Sequence, residues 1–271
     1  MTVNPMRRAL AAIALSTVGT IPVMAGQWLD YPTANIPRLP DGRPNLSAPA
    51  PRLPDGKVDI SGLWVATIEP YVLNTSSERG RSESGLEPGK VPFKPWAETL
   101  FRKRLQSDGR DDPSAHCVTG GVPRVSVIPY PFRVITIPGK VVVLYEIYQV
   151  WREIFTDGRE LPDDPNPTWM GYSIGRWDGN TFVVRSSGFN GKAWLDPEGR
   201  PSTAAMEVTE RFRRRDFGHM DLEVTIDDPK AYDDPWTVMV PLTYYADTEL
   251  LEYVCNENNK YPRVDVGAAS R

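Results

Sequence analysis

The sequence predicts an all-β protein, in which an antiparallel meander of about eight strands closes into a barrel. Apolar and polar residues alternate in short runs between turn signals from Arg133 onward. Proline is frequent, at 27 residues, and runs that favour helix are few. Closure into a barrel is expected because it leaves no unpaired edge strands. A proline-rich N-terminal arm and one short helix complete the prediction.

The first residues are typical of a secretory signal peptide. Arg7 and Arg8 precede a short apolar run, and Val23-Met24-Ala25 fits a cleavage pattern. We therefore predict a signal peptide at 1–25 and a mature protein that is periplasmic or secreted. The apolar run is too short for a permanent anchor, so we expect no membrane insertion.

The arm at residues 26–59 contains an internal repeat. "PRLPDGRPNLS" at 37–47 recurs as "PRLPDGKVDIS" at 51–61. Repeated proline next to Asp-Gly favours turn or polyproline geometry along the surface of the protein.

Residues 60–271 are predicted to be a single barrel domain. Within it, 74–92 is polar and glycine-rich, which indicates a loop. The helix is expected at 95–109, with Pro95 at its start and Gly109 at its end.

The strands follow from the alternating segments. "ISGLWVATI" gives the first, and "RVITIPGKVVVLYEIYQVWREIF" gives two around a Pro-Gly turn. "GYSIGRWDGNTFVVRSSGF" is a hairpin around Asp178-Gly179, and "MEVTERFRRRDFGHMDLEVTI" is a second, longer hairpin. "WTVMVPLTYY" supplies the last strand.

Composition narrows the possible partners. The chain has 271 residues, 40% of them hydrophobic and 24% charged, which suits one large domain or two small ones. Without Arg7 and Arg8 it has 29 basic and 35 acidic residues, a net charge of −6, so no nucleic acid partner is expected. The sequence contains no metal-ligand, dinucleotide or phosphate-loop motif, and we predict no metal and no cofactor. The oligomeric state is not indicated.

Cys117 and Cys255 are the only cysteines. An oxidising compartment favours a disulfide between them. A metal site with His116, or a reactive thiol, are the alternatives.

The sequence resembles two groups of known proteins. "DISGLW", which ends at Trp64, is similar to the Gly-x-Trp start of lipocalins and related calycin barrels, in which the tryptophan closes one barrel end. Over most of the mature chain, "TDGR", "TWMGYSIGRWDGNT", "VTERFRR", "DFGHM" and "TIDDPKAY" resemble a large family of secreted bacterial proteins, most of them uncharacterised. The first resemblance implies a calycin-like barrel, and the second implies secretion but no particular activity.

One stretch departs from that family. Where the family has a histidine and an acidic residue before "VTER", this chain has Ser202 and Ala204. If that histidine does the family's chemistry, this chain uses other groups or lacks the activity.

His219 is one of only two histidines and directly follows the "DFG" turn. It shares a strand face with Asp221, whereas Met220 and Leu222 share the other. If the polar face is internal, Asp221 orients the imidazole and the two form an acid/base unit. If the apolar face is internal, His219 is a solvated hairpin residue. Glu210 on the preceding strand is a further acid/base candidate.

Tyr145 and Glu146 lie in the middle of a predicted strand. Glu146 would share its face with Leu144 and Tyr148, an apolar setting that suits a general acid or base. The alternative is a carboxylate paired with Arg152. Tyr145 is either a catalytic hydroxyl or a core aromatic residue.

The ligand-binding candidates are one arginine and four aromatic residues. Arg124 could hold a carboxylate or phenolate through its planar guanidinium, or form a structural salt bridge. Trp151, Trp169, Tyr172 and Trp177 could line a pocket for an aromatic or apolar molecule, or pack in the core.

The leading hypothesis is a cofactor-independent acid/base enzyme, a lyase, isomerase or hydratase, that acts on a small apolar or aromatic substrate. The alternative is a non-catalytic periplasmic carrier of a hydrophobic ligand. An interaction module that uses the arm is a third class. Two or more ionisable groups converging in the interior would favour the enzyme, and an apolar interior would favour the carrier.

Overall fold

The computed structural model describes residues 31–67, 91–107 and 109–257. The predicted signal peptide and residues 74–90 of the predicted loop lie outside them. The strands are β1 (Gly62–Ala66), β2 (Phe132–Ile137), β3 (Lys140–Tyr145), β4 (Trp151–Phe155), β5 (Tyr172–Asp178), β6 (Thr181–Ser187), β7 (Glu207–Arg214), β8 (His219–Asp227) and β9 (Trp236–Tyr244). The α-helices are α1 (Pro95–Gln106) and α2 (Arg124–Val127), and two short 3₁₀ helices span Pro113–His116 and Ile147–Gln149.

The nine strands form one closed barrel in chain order, with β9 paired to β1. The predicted all-β barrel is therefore confirmed. One pair departs from a pure meander, because β4 and β5 are parallel. A closed ring with an odd number of strands cannot alternate direction throughout, so at least one pair must be parallel. Residues 156–171 supply the long crossover that such a pair needs.

The structure has nine strands where about eight were predicted, because the chain reverses direction at a place where the sequence pattern indicates no turn. The alternation over 140–155 predicts a single strand, but β3 ends at Tyr145 and β4 begins at Trp151. In the tight turn between them, Tyr148 and Gln149 have positive φ angles of 60° and 49°. Such positions usually hold glycine or asparagine, so the residue types here give no turn signal.

Trp64 closes one end of the barrel. Its ring is fully buried, and Nε1 donates to the carbonyl of Ile60 at 3.0 Å. The guanidinium of Arg214 lies 4.8 Å from the ring centre and donates to the carbonyl of Asp59 at 2.7 Å. Burial lowers the pKa of Arg214 to about 10, so this group is still charged at neutral pH. The ring of Tyr244 packs edge-on against Trp64 at 5.5 Å between centroids.

Gly62, at the start of β1, is required for this packing. Its φ is +140°, and a Cβ would overlap the Tyr244 ring. We expect Gly62→Ala to lower the free energy of unfolding by about 2–3 kcal/mol through backbone strain and displacement of that ring.

Gly56→Ala is the matched control for this substitution. Gly56 also has a positive φ, +84°, but no atom lies within 4 Å of an added Cβ. Only the strain of about 1 kcal/mol is expected there. Urea unfolding measures both variants, and equal losses would mean that the Tyr244 ring moves aside freely.

The repeat in the arm is also a structural repeat. In each copy the leucine N–H donates to the carbonyl four residues later at 2.8 Å. Gly42 and Gly56 take φ angles of +86° and +84° at corresponding places. Arg38 and Arg52 donate to the carbonyls of these glycines at 2.9 and 2.7 Å. Both copies therefore form the same turn, one of the two predicted geometries.

The arm packs on the turn between β7 and β8. The carbonyls of Leu46 and Ala48 accept the N–H groups of Gly218 and Phe217, each at 2.7 Å. The arm therefore covers the barrel end that Trp64 closes.

A disulfide fastens the opposite end. The predicted bond between Cys117 and Cys255 is confirmed. It joins the chain that leads into α2 to the C-terminal segment. In that segment the ring of Tyr253 packs against those of Tyr130 and Tyr148, at 5.7 and 6.0 Å between centroids.

The predicted helix is present as α1, which ends at Gln106. Pro95 occupies its first turn, and Glu98 forms an ion pair with Arg102 at 2.6 Å. None of the helices in the described ranges has the length and apolar character needed to span a membrane.

Candidate functional site

The apolar face of β8 lines the barrel interior. Alternate residues of this strand are fully buried: Met220, Leu222, Val224 and Ile226. His219 and Asp221, on the other face, are partly exposed. Of the two arrangements that the sequence allows, the structure has the one with the apolar face inside. On β7 the inward face includes Glu210, which is completely buried.

Arg152 on β4 and Glu210 on β7 form an ion pair inside the barrel. Arg152 Nη2 lies 2.6 Å from Glu210 Oε2, and the two side chains are 2% and 0% exposed. Burial lowers the pKa of Arg152, but Glu210 and Tyr145 more than offset this effect and leave that pKa above its ordinary value. The guanidinium is therefore a permanent cation in an interior of low dielectric constant.

Two serines orient this guanidinium. Arg152 Nε donates to Ser173 Oγ at 2.9 Å, and Nη2 donates to Ser186 Oγ at 2.6 Å. The two serines face each other across β5 and β6, with their Oγ atoms 3.0 Å apart. The rotamer of Arg152 is thus fixed by hydrogen bonds from neighbouring strands.

Tyr145 at the end of β3 brings a hydroxyl to the same level. Its oxygen lies 3.0 Å from Ser126 Oγ on α2, and both residues are buried. Burial raises the pKa of Tyr145, an effect that Arg152 and Ser126 oppose only in part. The hydroxyl therefore stays protonated at neutral pH and can donate a hydrogen bond.

Polar atoms of the ion pair have no hydrogen-bond partner within the described part of the chain. They are Arg152 Nη1 and both carboxylate oxygens of Glu210. Oε2 is in ion-pair contact with Nη2 but receives no well-directed hydrogen bond. Leaving a buried polar group unpaired costs about 1–3 kcal/mol, and more for a charged group. Such groups are expected where a ligand or water completes the bonding.

Aromatic rings surround this polar level. Phe132 packs against Tyr145 at 5.7 Å between centroids. Towards the Trp64 end, Phe182 packs against Trp177 at 5.1 Å and against Phe212 at 6.4 Å. The polar groups therefore lie next to apolar and aromatic side chains.

His219 lies outside the barrel. Its Nδ1 is 2.8 Å from Asp216 Oδ1, and its side chain is 35% exposed. Asp221, the expected partner, instead forms an ion pair with Arg215 at 3.2 Å. The "DFG" turn places Asp216 under the imidazole because the same oxygen also accepts the N–H of His219. The predicted His219–Asp221 unit is therefore not formed.

We expect His219→Ala to change the free energy of unfolding by less than about 1 kcal/mol, since an exposed pair contributes little. Ligand binding in the interior should be unaffected. Urea unfolding and calorimetric titration check both expectations. A tenfold loss of affinity would show that His219 does reach the ligand.

Glu146 also lies elsewhere than predicted. Because β3 ends at Tyr145, Glu146 begins the turn to β4 and does not continue the apolar face. Its Oε2 accepts the N–H of Leu251 at 2.9 Å, so it holds the C-terminal segment and does not pair with Arg152.

Arg124 forms the structural salt bridge that the sequence left as an alternative. Its Nη1 and Nη2 donate to the two oxygens of Asp112 at 3.0 and 2.8 Å, and both residues are buried. Because this carboxylate occupies the guanidinium, Arg124 is not free to hold an anionic ligand.

Of the four aromatic candidates, only Trp177 is on the inward face, two residues beyond Gly175 and four beyond Ser173. Trp151 is 64% exposed on the outside of β4. The hydroxyl of Tyr172 accepts a hydrogen bond from Arg159 at 2.9 Å. Trp169 lies in the 156–171 connection.

The sequence did not identify three residues of the cluster, namely Ser126, Ser173 and Ser186, and it indicated Arg152 only as a possible partner of Glu146. Ser173 and Ser186 had a signal, because they interrupt the buried faces of β5 and β6. Arg152 had no such signal. The turn before β4 contains no typical turn residues, so the sequence does not show which residues of β4 face the interior.

No family model, curated protein sequence or solved structure matches this chain. The resemblance to a secreted bacterial family therefore stays a prediction. In the described ranges, no three His, Cys, Asp or Glu side chains are arranged to hold a metal ion.

Proposed function

We propose that this chain is a secreted or periplasmic barrel protein that binds a small, largely apolar molecule in its interior. There it transfers a proton without a cofactor, as an isomerase or lyase does. The convergence of Glu210, Arg152 and Tyr145 inside the barrel carries this proposal. The disulfide supports an oxidising compartment, and the resemblance to a secreted family agrees with it.

Each group has a role that follows from its charge and contacts. Glu210 Oε1, which has no hydrogen-bond partner among the described residues, accepts the proton. Arg152 Nη1 and the Tyr145 hydroxyl donate hydrogen bonds to the negative charge that develops on the substrate. Ser173 and Ser186 hold Arg152 in place and do not touch the reacting atoms.

Proton exchange tests the proposal directly. The mature chain is incubated in deuterium oxide with acetophenone and propiophenone, and NMR follows loss of the protons next to the carbonyl. We expect the wild type to accelerate exchange. Glu210→Gln and Tyr145→Phe should slow it, the first by about 10²–10⁴-fold. His219→Ala is the matched control and should exchange at the wild-type rate.

A non-catalytic carrier is the second candidate, and one observation favours it. Neither histidine faces the interior, since His219 is outside and Nε2 of His116 bonds the carbonyl of Arg110 at 3.0 Å. The chain has Ser202 and Ala204 where the family that it resembles has a histidine and an acidic residue, which also favours a carrier. Binding without any exchange would establish the carrier and exclude the enzyme.

A further inference from the structure

We infer that the ligand of the barrel interior is an electrically neutral α-hydroxy carbonyl compound with an apolar substituent. This inference rests on the proposed binding function and specifies the class of its ligand. Four features support it: a hydrogen-bond donor and a hydrogen-bond acceptor that have no partner among the described residues, the opposite charges of Arg152 and Glu210, and the apolar side chains next to them.

The donor and the acceptor that have no partner among the described residues indicate which polar groups the ligand carries. Arg152 Nη1 can donate to a carbonyl oxygen, and Glu210 Oε1 can accept from a hydroxyl group. Nη2 and Oε2 of the same two groups are 2.6 Å apart, so one small molecule can reach both unpaired atoms. A carbonyl and a hydroxyl on adjacent carbons supply the two complementary groups.

The charges of Arg152 and Glu210 indicate that the ligand is electrically neutral. Arg152 and Glu210 cancel each other, so a carboxylate ligand would add an unbalanced anion beside Glu210. The next buried cation on the β7 inward face is Arg214, which already donates to backbone carbonyls, among them that of Asp59. Burying an uncompensated ion costs several kcal/mol, so a neutral ligand is selected.

The side chains next to the polar cluster indicate that the rest of the ligand is apolar. Val143 lies opposite Arg152, Val184 opposite Glu210, and Val208 opposite Ser186. All three valines are buried. A hydrocarbon or phenyl substituent fits this surface better than a polar one.

The chemistry follows from this placement and balances without an oxidant. Glu210 removes the proton from the carbon that bears the hydroxyl, and the C–H electron pair forms a carbon–carbon double bond. The carbonyl oxygen takes the negative charge, which Arg152 and Tyr145 stabilise. The hydroxyl proton moves to the former carbonyl oxygen, and Glu210 returns the proton it removed to the former carbonyl carbon, which completes the isomerisation to the alternative hydroxy carbonyl compound.

Calorimetric titration with three probes tests the ligand class. They are α-hydroxyacetophenone, which has both groups; acetophenone, which lacks the hydroxyl; and benzoate, which is charged. We expect α-hydroxyacetophenone to bind the mature protein at least tenfold more tightly than either. The double variant Arg152→Met/Glu210→Leu, shown to be folded by circular dichroism, should discriminate less than twofold, and His219→Ala should discriminate like the wild type.

The outcomes separate the two proposals. Equal binding of the three probes, or discrimination that survives in the double variant, overturns the ligand class and leaves proton transfer to the exchange experiment. Preferred binding of α-hydroxyacetophenone without deuterium incorporation supports the ligand class and excludes the enzyme.

Discussion

Replacing Arg152 by methionine is expected to lower the free energy of unfolding by about 3–5 kcal/mol. The substitution leaves the carboxylate of Glu210 buried and without its cation, and two serine hydroxyls lose their donor. Glu210→Leu should have a similar effect, because it leaves the buried guanidinium unpaired. Urea unfolding of the mature protein, followed by tryptophan fluorescence, measures both losses.

The double variant is the informative control. With Arg152→Met and Glu210→Leu together no charge is left unpaired, and the two apolar side chains have volumes similar to those replaced. We expect it to be more stable than either single variant, with a coupling free energy of at least about 2 kcal/mol. Additive losses would mean that the two groups are solvated in the folded protein, and the site described above would then be wrong.

If the double variant regains stability but no longer binds the ligand, the ion pair is needed for binding and not for stability. Buried ion pairs are poor stabilisers compared with apolar residues of the same volume. An ion pair kept inside a barrel that apolar residues could fill is therefore more readily explained by its use on a ligand.

The barrel could be predicted because its signals are local. Strand alternation, the Asp178-Gly179 turn and the Gly-x-Trp start each depend on neighbouring residues. The disulfide followed from cysteine number and compartment alone. The parallel pairing of β4 with β5 could not be predicted, because it depends on how a ring of nine strands closes.

The site was predicted only in part, for a physical reason. Glu210 and Tyr145 were identified because carboxylate and phenol groups on apolar strand faces stand out. Arg152 was missed because Tyr148 and Gln149 form a turn from residues that do not signal one, which conceals which side of β4 faces inward. For His219 the alternation left both strand faces possible, and only the structure shows that its face lies outside the barrel.

Removing the disulfide with Cys117→Ser/Cys255→Ser is expected to lower the free energy of unfolding by about 4–5 kcal/mol. The two cysteines are 138 residues apart, so the bond greatly restricts the unfolded chain. A corresponding fall of roughly 10–20 °C in Tm is expected for a protein of this size. Differential scanning calorimetry under non-reducing conditions measures it.

Reduction provides the matched control for this substitution. Wild type treated with a thiol-free reductant should melt close to the double variant, and the double variant should not respond to the reductant. The effect should extend to the site, because the disulfide fastens the chain leading into α2, which carries Ser126 next to Tyr145. Weaker binding of α-hydroxyacetophenone by the folded double variant would show that this end of the barrel contributes to the proposed binding site. An unchanged Tm with two free thiols present would mean that the contacts of Tyr253 and Glu146 hold the segment by themselves.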